Sequence, residues 1–275
     1  MSKMHFLPPV ICPKFSSSAR RFIGRFLLCL LPFQVPLEKT VDLETSLIST
    51  TALKDAVALY KTGDLDQARE AFLHILDTQP KEPNALFYLG HINTDLISAE
   101  QYFLQVILSN PQHNLADDAL LELARINFTQ KKYKETASKC NKILKTYPDT
   151  NLINETYLLL GQALLAESRP ALARIVFQEI LPSNSSSILS LQARRGIADS
   201  YRDQAYFIDA AREYIKLEID FPQADSLETV LWNAGNCLSK AGRLFEADFV
   251  YQRLIKLYPR TVQARKAQTD IHRLK

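Results

Sequence analysis

The sequence predicts an all-α helical-repeat solenoid of about six helix-turn-helix units, closed by one further helix at its C-terminal end. Three observations carry the prediction. Glycine is scarce, seven in 275 residues, whereas strands joined by tight turns need residues that adopt positive φ readily. A small residue, an aromatic four places on and an aliphatic three further recur as one phrase. The series runs Ala68-Phe72-Ile75, Ala99-Phe103-Val106, Thr136-Cys140-Ile143, Ala173-Phe177-Ile180, Ala210-Tyr214-Leu217 and Ala247-Tyr251-Leu254. From Ala99 onward the phrase advances by 37 residues each time, and self-similarity at such a period marks stacked repeats.

The first segment, residues 1–46, is a basic and apolar leader. Its residues 20–36 read RRFIGRFLLCLLPFQVP, three arginines followed by a run from Phe26 to Val35 that is apolar apart from Gln34. That run is too short to cross a bilayer as a helix, which takes about 20 residues. Its charged-then-apolar order matches a secretory signal, although no small-x-small cleavage site follows. Leu28 also stands before Cys29 where a lipoprotein box requires a small residue. The expectation is an export or membrane-tethering segment, with membrane association through residues 20–36. The alternative is a loosely docked or disordered tail.

Residues 47–275 then form the solenoid, with repeats to about 261. In the second helix of each unit the small, aromatic and aliphatic positions fall on one stripe. The small residue admits the paired helix, the aromatic fills the space between them, and the aliphatic seals against the next unit. Each first helix carries Gly or Ala where the two would cross, in ALFYLGHI (85–92), LLELARINF (120–128), YLLLGQALL (157–165), RRGIADSYRD (194–203) and LWNAGNCL (231–238). Gly63 and Gly242 suit the turns after first helices. Proline ends the second helices at Pro80, Pro111, Pro148, Pro222 and Pro259, with Ser185 in the vacant slot. The tail TVQARKAQTDIHRLK, from about 261, has the apolar spacing of a capping helix.

Charge and composition narrow the function. Residues 1–36 carry five basic and no acidic residues, residues 37–239 carry 19 and 27, and residues 240–275 carry nine and three. An acidic middle argues against a nucleic-acid partner, which needs a basic face over much of a domain. The four cysteines form no CxxC pair, and Cys140 and Cys237 fall at apolar helix positions, as buried free thiols do. His5, His74, His91, His113 and His272 have no metal-ligand spacing. Six of the seven glycines belong to the repeats, so no phosphate-cradling loop remains. Asp117-Asp118 precedes a helix, where acids favour the N-terminal dipole. No catalytic residue, metal site or cofactor is expected, and the chain reads as a non-enzyme.

These repeats resemble the tetratricopeptide family. The phrases ADDALLELARINFTQKKYKETASKCNKILKTYPDT (116–150) and IKLYPRTVQARKAQ (255–268) are similar to its bacterial envelope subgroup. That subgroup includes the Tol-Pal-associated cell-division coordinator and the lipoprotein of the outer-membrane β-barrel assembly machine. The usual repeat has about 34 residues, so the 37-residue spacing predicts a longer first helix or an extended link in repeats 3–6. The resemblance implies a right-handed solenoid whose first helices line a concave groove. Positions facing that groove are Leu53, Val57, Tyr60, Phe87, His91, Leu121, Arg125, Leu158, Gln162, Arg195, Asp199, Arg202, Trp232, Asn236 and Lys240. The expected partner-binding residues are Tyr60, Phe87, His91, Arg125, Gln162, Arg195, Asp199, Arg202, Trp232 and Asn236, with Trp232 either the foremost anchor or a core residue of repeat 6. Apolar Leu53 and Val57 stand where carboxylate-gripping relatives carry Lys or Asn, so a clamp for a chain terminus is not expected. The function implied is a scaffold that holds a peptide or helical segment of a protein partner, in envelope assembly or maintenance and located in the periplasm or cell envelope. The alternative is a cytoplasmic adaptor or secretion chaperone.

Overall fold

A computed structural model describes residues 37–181 and 187–274. The leader expectation for residues 1–36 and the Ser185 slot lie outside the described residues. Of the two units into which the chain divides, residues 1–45 and 46–275, the second holds the helix pairs. Thirteen helices and no strand occur among the described residues. The pairs are α1 (Leu37–Thr62) with α2 (Leu65–Thr78), α3 (Pro83–Ile92) with α4 (Leu96–Ser109), and α5 (Ala116–Thr129) with α6 (Tyr133–Thr146). They continue with α7 (Ile153–Ala166) and α8 (Pro170–Gln178), α9 (Ser187–Asp203) and α10 (Phe207–Asp220), and α11 (Leu227–Lys240) and α12 (Leu244–Leu257). The last helix, α13 (Val262–Leu274), stands alone.

The turn inside each pair is closed by one device. Gly63, Lys131, Ser168, Ala205 and Gly242 all take positive φ, between 58° and 87°. The next residue then donates its N–H to the carbonyl five positions back: Asp64 to Leu59, Lys132 to Asn127, Arg169 to Leu164, Tyr206 to Tyr201 and Arg243 to Leu238. This is the Schellman ending of a helix, which satisfies carbonyls that would otherwise be orphaned. The second pair differs. There Asp95 caps α4, its carboxylate accepting from the N–H groups of Ile97 and Ser98.

Packing follows the columns read in the sequence. Ala68, Phe72, Ala99, Phe103, Thr136, Cys140, Ala173, Phe177, Ala210, Tyr214, Ala247 and Tyr251 are all buried. Phe177 shows why the crossing residues are small. Its ring lies between Gly161 of α7 and Gly196 of α9, and a Cβ at Gly161 would stand 2.7 Å from Cζ. Cys140 takes the aromatic position opposite Ala124, and the Thr136 hydroxyl one turn earlier donates to the Ala124 carbonyl.

The 37-residue spacing arises both in the longer first helices and in the links. The links at 110–115, 147–152 and 221–226 have six residues, whereas that at 79–82 has four. First helices α5, α7 and α11 have 14 residues, against ten in α3. These links also tie neighbouring repeats. The Tyr147 hydroxyl donates to the Pro111 carbonyl at 3.0 Å, and Thr150 Oγ1 donates to Asp117 Oδ2 at 2.6 Å. First helices of successive pairs pack on one another, α5 on α7, α7 on α9 and α11 on the capping α13, and among the described residues no two second helices pack to a like degree. The odd-numbered helices therefore form the crowded inner layer and the even-numbered helices the outer one.

Candidate protein-binding faces

The inner face begins with an aromatic cluster. Tyr60 of α1 lies 4.9 Å from Tyr88 of α3, ring centre to ring centre, and Tyr88 stacks on Phe72 at 5.2 Å. Phe87 meets His91 edge-on at 4.7 Å, and both rings abut Phe103. Beside the cluster a shallow hollow of about 400 Å³ is lined by Leu53, Val57 and Tyr88, with Lys54, Lys61 and Asn84 at its edge. Burial, and secondarily the Arg125 charge, hold the His91 imidazole below its ordinary pKa against the opposing pull of Glu122. His91 is therefore neutral at physiological pH, an aromatic rather than a cation.

The middle of the face is polar and already paired in part. Arg125 bridges α5 to α7 through Glu155, at 2.5 Å, and reaches Glu122 on its own helix at 3.6 Å. Burial, followed by the charges of Asp117, Glu122 and Glu155, raises the Asp118 carboxyl above its usual value. Asp117 and Asp118 lie in the first turn of α5, beneath the link contact with Thr150. Gln162 is half-buried on α7 and Arg195 stands exposed on α9. Asp199, Arg202 and Tyr214 form one network. The Tyr214 hydroxyl donates to Asp199 at 2.5 Å, and Arg202 donates to that hydroxyl at 3.0 Å while pairing with Asp199 at 2.7 Å.

Two positions differ from the outward reading of the sequence. Leu121 is 2% exposed. It packs with Leu120, Ile143 and Leu159, because α7 lies against α5 and covers it. Trp232 is half-buried rather than open. Its ring packs on the core of the last two pairs, its Nε1 donates to Asp270 of α13 at 3.1 Å, and Lys266 of α13 sits 5.1 Å from the ring centre. Asn236 is half-buried beside it, and Lys240 lies 5.6 Å from the Phe207 ring. Tyr60, Phe87, His91 and Arg125 thus share one neighbourhood. Asp199 and Arg202 form a second, and Trp232 belongs to the cap.

Reading by repeat register passed over Tyr88, which joins the hollow to the cluster. Its signal was present as the second aromatic of ALFYLGHI, one place from Phe87. The buried thiols are chemically quiet. Burial pushes Cys140 up to about 12 and Cys237 up to about 11. Among the described residues no group of three or more His, Cys, Asp or Glu is placed to hold a metal ion, and no helix is long and apolar enough to cross a membrane.

Comparison with known proteins names the architecture. Models of the tetratricopeptide repeat match residues 53–96, from within α1 to the start of α4, and residues 118–150 and 229–261, over the pairs α5–α6 and α11–α12. The chain carries tetratricopeptide repeats over these residues. Among solved structures, PilF of Pseudomonas aeruginosa superposes with a TM-score of 0.60 at 16% identity, over 81% of this chain and 97% of its own. PilW, described as a type IV pilus biogenesis factor, gives 0.62 at 15% identity over 80% and 98%. YrrB, a tetratricopeptide-repeat protein described as having an unusual peptide-binding site, gives 0.58 at 16% identity over 73% and 99%. Likeness at these identities speaks for the fold alone. Curated relatives are the adenylyltransferases Fic of Aedes aegypti and Drosophila mojavensis. The first is 30% identical over 108 residues, or 37% of this chain and 21% of its own. The second is 35% identical over 69 residues, or 24% and 14%. The chain thus spans about a fifth or less of the curated relatives it matches.

Proposed function

We propose that this tetratricopeptide-repeat protein is a non-catalytic scaffold that holds a peptide or helical segment of a protein partner on its inner face. The observation that carries this reading is the aromatic cluster of Tyr60, Phe87, Tyr88 and His91 beside the hollow of Leu53 and Val57. Rigid, partly exposed aromatics in a preformed concavity bind apolar side chains with little loss of conformational entropy. Arg125, one repeat on, supplies a cation that can exchange Glu155 for a carboxylate of the partner. A repeat scaffold also accounts for the likeness to the Fic proteins without any transfer chemistry.

The setting we propose is the bacterial cell envelope, in its assembly or maintenance. Residues 1–46 would serve as the export or tethering segment, and residues 47–275 as the solenoid it delivers. The charge order of residues 20–36 supports this. The test has two parts. In a pull-down, Tyr60→Ala with Arg125→Glu should lose the partner while the circular dichroism melt shows an intact solenoid. Unchanged capture would refute the inner-face site. Fractionation with N-terminal sequencing of the natural protein should find it in the envelope fraction. An intact Met1 in the soluble cytosol would refute the location.

A further inference from the structure

The outer face of the last two repeats carries a groove that solenoid packing does not require. It runs between α10 and α12, over a floor that includes Leu231 and Leu238 of α11. Two hollows of about 330 and 570 Å³ adjoin there and share Phe249 and Arg253. Phe245 is 87% exposed and Phe249 64%. The repeat provides its own control for these aromatics. Three periods upstream, the register of Phe245, Phe249, Arg253 and Lys256 is filled on α6 by Lys134, Ser138, Lys142 and Lys145. Both helices have 14 residues and pack in the same way between their neighbours. The fold is therefore indifferent to what stands at these positions, and exposed adjoining phenylalanines need another reason. Apolar surface of this kind, rimmed by charge, marks a site of interaction.

Charge selects the occupant. Glu218, on the wall of the groove, is buried and held by Arg253 at 2.9 Å, and Glu246 is held by Arg243. Both carboxylates are thus neutralised. Lys256, at the far end, has no acidic partner among the described residues, and Arg260 follows it in the link to α13. Of the charged residues lining the two hollows, Arg253, Glu218 and Glu246 are paired, which leaves Lys256 as the free charge of the groove among the described residues. A basic segment such as this chain's own residues 1–36 has the wrong sign for it. The geometry points to an amphipathic, acidic segment of a partner protein as the ligand of the α10–α12 groove. Its apolar side chains would lie against Phe245 and Phe249, with a carboxylate on Lys256. This surface is on the outer layer, away from the inner face, and stands independently of the function read there.

Two labelled amphipathic peptides of about 15 residues, some four helical turns, test it against the full chain by fluorescence anisotropy. They share their leucine and phenylalanine positions and differ in having glutamate or lysine at every polar position. The glutamate peptide should bind and the lysine peptide should not. Phe245→Ser with Phe249→Ser should weaken binding about tenfold or more. Lys256→Glu, which leaves both rings in place, should reverse the preference between peptides, and Tyr60→Ala should change nothing. Equal affinity for both peptides, no binding of either, or binding indifferent to the serine variant would overturn the proposal. So would sedimentation showing a dimer that the serine variant abolishes, since the groove would then belong to a second copy of this chain.

Discussion

Phe177 is held between Gly161 and Gly196, and neither side leaves room for a methyl group. The ring is buried and cannot swing clear. Gly161→Ala should therefore cost about 1–3 kcal/mol, the usual penalty for overpacking, read from urea titration of the helical signal. The turns offer the opposite case. Ala205 takes φ of 60° where Gly242 occupies the equivalent turn, and a side chain in that region costs roughly 1–2 kcal/mol. Part of that is offset by the greater freedom of glycine when unfolded, so Ala205→Gly should stabilise by about 1 kcal/mol or less in the same titration. The sequence displayed the crossing glycines and the turn glycines plainly. It concealed the left-handed turns at Lys131, Ser168 and Ala205, because a turn enforced by two packed helices leaves no mark on the residue type. His91 shows the same limit. Its pKa depends on the Phe87 and Phe103 rings and on Glu122 and Arg125, three of which lie on other helices. An NMR titration should place its midpoint below the ordinary value of about 6.5. A midpoint above that would mean a charged, solvated ring and would contradict the aromatic cluster.

Between helices, the columns and prolines made the pairing legible, since each helix carries its own stripe. What they left hidden is the contact from one repeat to the next. Leu121 read as a groove residue on its own helix, yet α7 covers it. Trp232 read equally as a groove anchor or a core residue, and contacts from α13 to its face and its N–H decide for the second. Trp232→Ala should accordingly loosen the cap. Hydrogen exchange should speed over residues 262–274 and remain unchanged over α3 and α4. Equal protection of α13 in the variant would show that Trp232 does not hold it. The exposed Phe245 and Phe249 had a readable signal. They lie off the buried stripe of Ala247, Tyr251 and Leu254, in a register that α6 fills with lysine and serine.

The described residues form a chain of local cores, each shared by adjacent helices, rather than a single core. Stability in such an array is a sum of repeat and neighbour terms. Its dependence on alkaline pH should come from the third, fifth and sixth pairs. Burial raises the thiols of Cys140 and Cys237 to about 12 and 11, and raises the phenols of Tyr214 and Tyr251 as well. A group whose pKa is higher when folded binds more protons in the folded state, so stability falls as pH rises past its unfolded value. The solenoid should keep full stability from this source below the unfolded thiol value of about 8.5 and lose it progressively above. Denaturant midpoints measured from pH 7 to 11 check this, and a flat profile would contradict the burial of these groups. The inner face has a harder test. A photo-crosslinking residue placed at Phe87 in living cells should give adducts with one discrete partner, and the same residue at Lys142 on α6 should give none of that species. Identical adducts from both positions, or none from Phe87, would contradict the claim that this protein holds a partner on its inner face.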